Sequence, residues 1–365
     1  MSLRTTIALI VVASFVAVLA YVNPFDSDET RKPKPPWFYQ IAMEDIEEIE
    51  VTTRENNVTF LKLDKRTWVF EDPEGIPPSY YRWGGITLLL SGPQTRRDFS
   101  EDVEHKYFQI TTQDIEDPAE FGLDDPKATV HLKLTMDREL LFNLGDSTTD
   151  GEHIYGQVEG FPQLFIIADI WGKVISRLAD EKPYPKWYVK RDPSIIRGLN
   201  VFMGDVTSVE TPFVHFYLEE DDGIWYACEN CSDDKEKIRP VDTNRWQEIL
   251  PMLSRPTEVK VAVYRVEDRD FEEWGITDDS FGIEITFAEV HEQAGRKYDI
   301  IGGLPIRLGN KTEDGDWYYA IHQDDEQVVK PVFLIGAEWV DTLLGLHADI
   351  PYAPATENTE TESSD

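Results

Sequence analysis

Phe121-Gly122-Leu123-Asp124-Asp125-Pro126 opens the stretch that decides how this chain reads. An alternating run over residues 128–134 follows, then a second run ending Asn143-Leu144-Gly145, then Asp150-Gly151-Glu152-His153-Ile154-Tyr155. The same four landmarks return later in the same order: Trp274-Gly275-Ile276, residues 281–287, Arg307-Leu308-Gly309, and Asp314-Gly315-Asp316-Trp317-Tyr318-Tyr319. Ordered recurrence of this kind marks one structural unit used twice. Period-two alternation predicts strands, and the Asp-Gly pairs between apolar runs predict hairpin turns with positive φ.

Working outward, residues 46–51, 58–63 and 67–70 read as a three-strand meander ahead of the first landmark. Residues 79–90 read as a helix stopped by Gly92-Pro93, residues 164–167 as a strand, and 170–178 as a helix with Trp171 and Ile175 on one face. The second unit retraces this plan. Residues 205–210 stand for 45–50, and 213–218 and 224–226 give the next two strands. Residues 243–253 give a helix, and 332–335 with 339–346 the closing strand and helix. Trp225 answers Trp68, and Trp339 answers Trp171. The expected fold is therefore α+β, two tandem repeats of mostly antiparallel sheet with helices packed on one face. The first unit spans 37–182 and the second, diverged unit 201–347, with a Pro-rich and basic joint at 183–200.

The ends differ in kind. After a short tail at 1–4, residues 5–22 are apolar and free of charge. About twenty such residues cross the hydrocarbon layer as a helix. A retained transmembrane anchor is the first reading, and a secretory signal cleaved after Val18-Leu19-Ala20 is the rival. Residues 23–36 carry Pro33, Pro35 and Pro36 and form an extended stalk. Residues 348–365 are rich in Pro, Thr, Glu, Ser and Asp with little to bury, and are expected to form a disordered acidic tail. The 365 residues carry a formal net charge of -35. Duplex nucleic acid draws binding energy from Lys and Arg on phosphates, so this balance excludes it as a partner.

The order of landmarks resembles a bacterial family catalogued as domain of unknown function 4340. The likeness rests on a single N-terminal anchor, a meander with Trp68 in its third strand, Phe121 to Pro126, and residues 143–158 with their Leu-Gly-Asp and Tyr-Gly-Gln-Val. It covers most of residues 37–180. In the second unit, Thr277 and Asp279 stand in place of Asp124 and Pro126. The resemblance implies an envelope protein whose folded part lies outside the cytoplasm, encoded near gliding-motility-type ABC transporters. It implies partners among envelope or ABC-transporter proteins and carries over no catalytic residue.

Candidate chemistry is sparse. Cys228 and Cys231 are the two cysteines, without the second pair or set histidines that zinc requires. In an exported domain they read as a local disulfide, with free thiols or a redox pair as alternatives. The Asp-Gly turns lack the alternating oxygen ligands and closing glutamate of a calcium loop. Asp125 and Asp278 read as turn residues, though either could serve a hydrolase if it faced His131 or His153. Trp317, Tyr318 and Tyr319 offer an aromatic ligand platform, with hairpin packing as the bland reading. No cofactor fingerprint occurs. The expected function is a membrane-anchored, non-enzymatic accessory or scaffold protein of a cell-envelope complex. The alternative is a carbohydrate- or polymer-binding module using a cleft between the units.

Overall fold

Alternating apolar residues build two sheets here, and each sheet buries one face under a helix. The computed structural model describes residues 38–92, 108–204, 213–230, 237–293, 296–323 and 327–354. The expected membrane helix at 5–22, the stalk at 23–36 and residues 355–365 of the tail lie outside the described residues. Among the described residues no helix is long and apolar enough to cross a membrane.

The fold is mixed α+β with antiparallel sheets. The first sheet contains β1 (Ile46–Thr53), β2 (Asn57–Lys62), β3 (Trp68–Phe70), β4 (Phe108–Asp114), β5 (Ala128–Leu134), β6 (Arg138–Ser147), β7 (His153–Val158) and β8 (Gln163–Ala168). Its order is β3-β2-β1-β5-β6-β7-β8-β4. Helices α1 (Tyr80–Trp83), α2 (Ile86–Leu90) and α3 (Asp169–Asp180) accompany it. The second sheet contains β9 (Ile196–Met203), β10 (Phe213–Leu218), β11 (Trp225–Glu229), β12 (Arg239–Pro240), β13 (Val259–Glu267), β14 (Phe281–Gln293), β15 (Arg296–Lys311), β16 (Trp317–His322) and β17 (Val329–Gly336). Its helices are α4 (Thr243–Ile249) and α5 (Ala337–Ala348). Its order is β12-β11-β10-β9-β14-β15-β16-β17-β13. With the short β12 removed, both sheets follow one path.

The recurring landmarks touch one another, which is why they recur together. A 3-10 turn at Pro118–Phe121 ends on Gly122, with φ 65°, and the turn at Asp268–Trp274 ends on Gly275, with φ 72°. The Gly122 and Leu123 N–H groups donate back to Ala119 and Pro118 at 3.2 and 3.0 Å. Gly275 and Ile276 do the same to Glu272 and Phe271 at 3.0 and 3.3 Å. Each turn lies on the next strand pair: a Cβ on Gly145 would run into the Phe121 carbonyl oxygen, and one on Gly309 into that of Trp274. Only glycine lets two backbones approach so closely.

The hairpin turns match bond for bond. Thr148 Oγ1 donates to Asp150 Oδ1 at 2.5 Å, and the Glu152 N–H donates to the same oxygen at 3.0 Å. Thr312 Oγ1 donates to Asp314 Oδ1 at 2.5 Å, and the Asp316 N–H follows at 3.1 Å. The threonine hydroxyls, then the backbone N–H groups, hold both carboxyls below their ordinary pKa. A carboxyl depressed in the folded state stabilises above its unfolded pKa, and that stability is lost as pH falls through the depressed value. The double variant Asp150→Asn, Asp314→Asn is therefore expected to show a shallower fall in melting temperature between about pH 5 and pH 2 than the parent.

Trp171, Ile175 and Leu178 of α3 are buried on the first sheet, and Trp339, Val340, Leu343 and Leu346 of α5 on the second. The indole N–H of Trp171 donates to the Leu89 carbonyl at 3.3 Å, and that of Trp339 to the Met252 carbonyl at 2.9 Å. One apolar core runs without interruption from Phe38 to Leu346 through both halves.

Four expectations change. The helix expected over 79–90 is broken at Gly84-Gly85, where Gly85 has φ 84°, into α1 and α2. The helix expected over 243–253 is α-helical only to Ile249 and continues as a 3-10 turn through Pro251, which has no N–H to donate. The strand in the place of β1 is β9, so chain order resumes at Ile196; residues 205–210, expected to fill that place, lie outside the described residues. Gly198 and the register shift near Phe287 blur the period there. Strands β4 and β13, which close the two sheets at one end, were not anticipated.

The joint is packed tightly between the halves. Its Tyr184 ring meets Phe70 of β3 at 4.7 Å, and its Trp187 stacks on Phe333 of β17 at 4.5 Å and 14°. Backbone bonds run from Ser79 N–H to Pro183 O at 2.7 Å and from Arg191 N–H to Ser254 O at 3.0 Å. Directly across the joint, the Tyr264 hydroxyl donates to the Gly75 carbonyl at 3.1 Å.

Candidate functional site

The joint floors a groove. One part, of about 520 Å³, lies between α1, the joint and strands β14, β16 and β17. The other, of about 410 Å³, lies between the β2–β3 turn, α1 and β13. Both are bordered by Tyr80, Pro185, Trp187, Gln327 and Pro331, so the two parts adjoin. The sequence places rings and prolines here for a local reason: Pro77-Pro78 and Pro183 to Pro185 hold the chain extended while their neighbours pack.

The charge of the lining opposes that of the chain. Arg66 and Arg265 line the smaller part; Arg82, Lys186, Lys190, Arg191 and Lys330 line the larger, against Asp192 and Glu289. The whole chain has 35 Lys and Arg against 70 Asp and Glu, so an excess of seven cations over two anions is a local reversal. Arg191 is 8% exposed, donates from Nη1 to the Lys186 and Val189 carbonyls at 3.1 and 3.2 Å, and lies 3.9 Å over the Phe287 ring. Burial lowers its pKa and Glu289 opposes that shift; a guanidinium still keeps its charge at neutral pH. Burial also raises the Tyr184 and Tyr264 hydroxyl pKa, so both remain neutral donors. Tyr80 and Tyr81 are 60% and 53% exposed at the rim, with rings 5.3 Å apart and nearly perpendicular. Fixed cations beside rings suit carboxylates on an extended chain.

The residues singled out from sequence lie elsewhere. Trp317, Tyr318 and Tyr319 do not form one platform, because successive side chains of β16 point to opposite faces. Lys260 covers the Trp317 ring at 4.0 Å, Tyr318 donates to Asp341 at 2.7 Å, and Tyr319 packs on the small cluster around Phe271. None of the three lines the groove. Cys228 is buried on β11 and disulfide-bonded, while Cys231 lies outside the described residues. Iodoacetamide applied in denaturant is expected to label neither of the two cysteines before reduction and both afterwards, as read by intact mass.

Asp125 pairs with Arg54 at 3.1 Å, His131 with Glu139 at 3.3 Å and Glu50 at 3.6 Å, and His153 with Asp150 at 3.9 Å. The Asp278 carbonyl accepts from Arg307 at 2.8 Å. Neither aspartate is brought to either histidine by these bonds. On the outer face of the second sheet, His215 Nδ1 lies 2.5 Å from Asn200 Oδ1, and Asn200 donates to Glu284 at 2.9 Å. Burial lowers the His215 pKa, and the intervening amide passes no proton, so the row is a structural ladder. Asp150, Glu152 and His153 bring ligand atoms within 4.8 Å of one another, but the Asp150 carboxylate is already engaged by the turn. The groove cations were legible only as a basic cluster at 183–197 in an acidic chain. No family model, curated protein or solved structure matches this chain.

Proposed function

We propose that the protein is a non-enzymatic accessory or scaffold protein of a cell-envelope complex, held at the membrane by residues 5–22 with its folded part outside the cytoplasm. Its two halves are copies of one unit, and it works by holding a partner of gliding-motility-type ABC-transporter association. The observation that carries this reading is the groove, built jointly by both halves and lined mainly by rings and cations, with Asp192, Glu289 and His322 among them. Equal sheet orders and matched turns support the duplication. The uncharged run at 5–22 and the sequence resemblance support the anchor and the setting. Affinity purification of the full chain from its own membranes in mild detergent is expected to recover envelope proteins in fixed ratio. Recovery of the chain alone in several detergents, or its presence in the soluble fraction, overturns the reading.

A second reading, a polymer- or carbohydrate-binding module, is favoured by Tyr80 and Tyr81, whose rings stand open at the rim. Binding on a glycan array that is lost in Tyr80→Ala, Tyr81→Ala would establish it in place of the first.

A further inference from the structure

The smaller part of the groove lies between the last strand of one sheet and the last strand of the other. β3 ends the first sheet and β13 ends the second. Trp68 of β3 and Tyr264 and Arg265 of β13 face each other across the smaller part. The outer side of β3 is already taken up at Phe70, whose N–H donates to Ile76 O at 2.8 Å and whose C=O accepts from Gly75 N–H at 3.3 Å, so an extended chain here would be held by the lining side chains. Its side chains would then alternate between the ring-lined floor and the charged rim.

We propose that this groove binds an extended acidic segment of a partner protein, laid along both of its parts with its carboxylates on Arg66 and Arg265 in the smaller and on Lys186 and Lys190 in the larger. This deepens the accessory-protein reading and rests on it. The charge argument selects the ligand. Arg66, Lys186 and Lys190 are exposed and make no side-chain bond among the described residues, while the surrounding chain is strongly acidic. A cation-lined groove in a chain of net charge -35 attracts an acidic ligand where the rest of the chain on balance repels it.

The chain's own acidic tail is a poorer occupant. Its departure point is fixed at the opposite terminal strand: Tyr352 bridges Val241, Asp242 N–H donates to Pro351 O at 2.8 Å, and Arg239 lies 3.9 Å over the Tyr352 ring. β12 and β13 are the two ends of the nine-stranded sheet, so the tail leaves from the end away from the groove.

The test uses the full chain in detergent and a labelled peptide of alternating Glu and Val, read by fluorescence anisotropy. We expect saturable binding that weakens at least tenfold from low to physiological salt. The same peptide with Lys for Glu should not bind. The variant Arg66→Glu, Arg265→Glu, Lys186→Glu, Lys190→Glu should lose at least tenfold in affinity, while Arg269→Glu, away from the groove, should not. All five positions are exposed, and circular dichroism checks that each variant is folded. Equal binding of both peptides, unchanged affinity in the fourfold variant, or tighter binding of polygalacturonate than of the Glu-Val peptide each overturns the proposal. If purification from membranes still recovers the envelope partners with the fourfold variant, the accessory reading stands and the groove assignment alone falls. If partners are missing for the parent chain too, the broader reading has failed.

Discussion

The variant Gly145→Val is expected to lose a large share of the protein's folding stability. Its side chain would enter the space held by the Phe121 carbonyl oxygen and the Leu123 side chain, and the first of these is backbone that cannot rotate away. Overpacking against backbone costs about 3 kcal/mol or more, a large share of the roughly 5–15 kcal/mol that holds a domain together. Urea denaturation followed by tryptophan fluorescence is the measurement. The control is Gly151→Ala, where φ is 71° but an added Cβ meets nothing within 4 Å; only the left-handed backbone penalty of about 1 kcal/mol applies. Equal loss at the two positions would show that the Phe-Gly-Leu turn does not latch onto β6. Gly309→Val is expected to repeat the effect in the second half.

Trp187→Ala carries the second large effect. The indole is 3% exposed and stacked on Phe333, and truncating a buried tryptophan costs about 3–5 kcal/mol. The loss should also change the form of unfolding. With the core continuous from one half to the other, the parent melts in one calorimetric transition; with the joint hollowed out, two transitions separate. Trp187→Phe keeps a ring against Phe333 and should preserve the single transition. Two transitions already present in the parent would refute the coupling.

Much of the architecture was legible because it is written in short-range chemistry. The Asp150-Gly151 and Asp314-Gly315 turns, the alternation of residues 128–134 and 281–287, and the helix faces of Trp171 and Trp339 depend on neighbours within a few residues. What was not legible depends on distant partners. Val259-Lys260-Val261-Ala262-Val263 alternates, yet as the terminal strand it buries little, so β13 gives a weak signal. Strand β9 hides behind Gly198 and a bulge. A cleft between the units was expected, but its lining was not legible, because Arg66, Lys186, Arg265 and Lys330 come from four separate places in the chain. The Trp317 platform failed for the converse reason: residues adjacent in sequence are divided between two faces by the pleat.

A joint clamped on both sides has a mechanical corollary. Tyr184, Trp187 and the bond from Tyr264 to Gly75 hold the walls at a set separation, so the aperture acts as a gauge, not a jaw. A partner that is too thick is refused outright. One that fits is gripped without any swing of one half against the other.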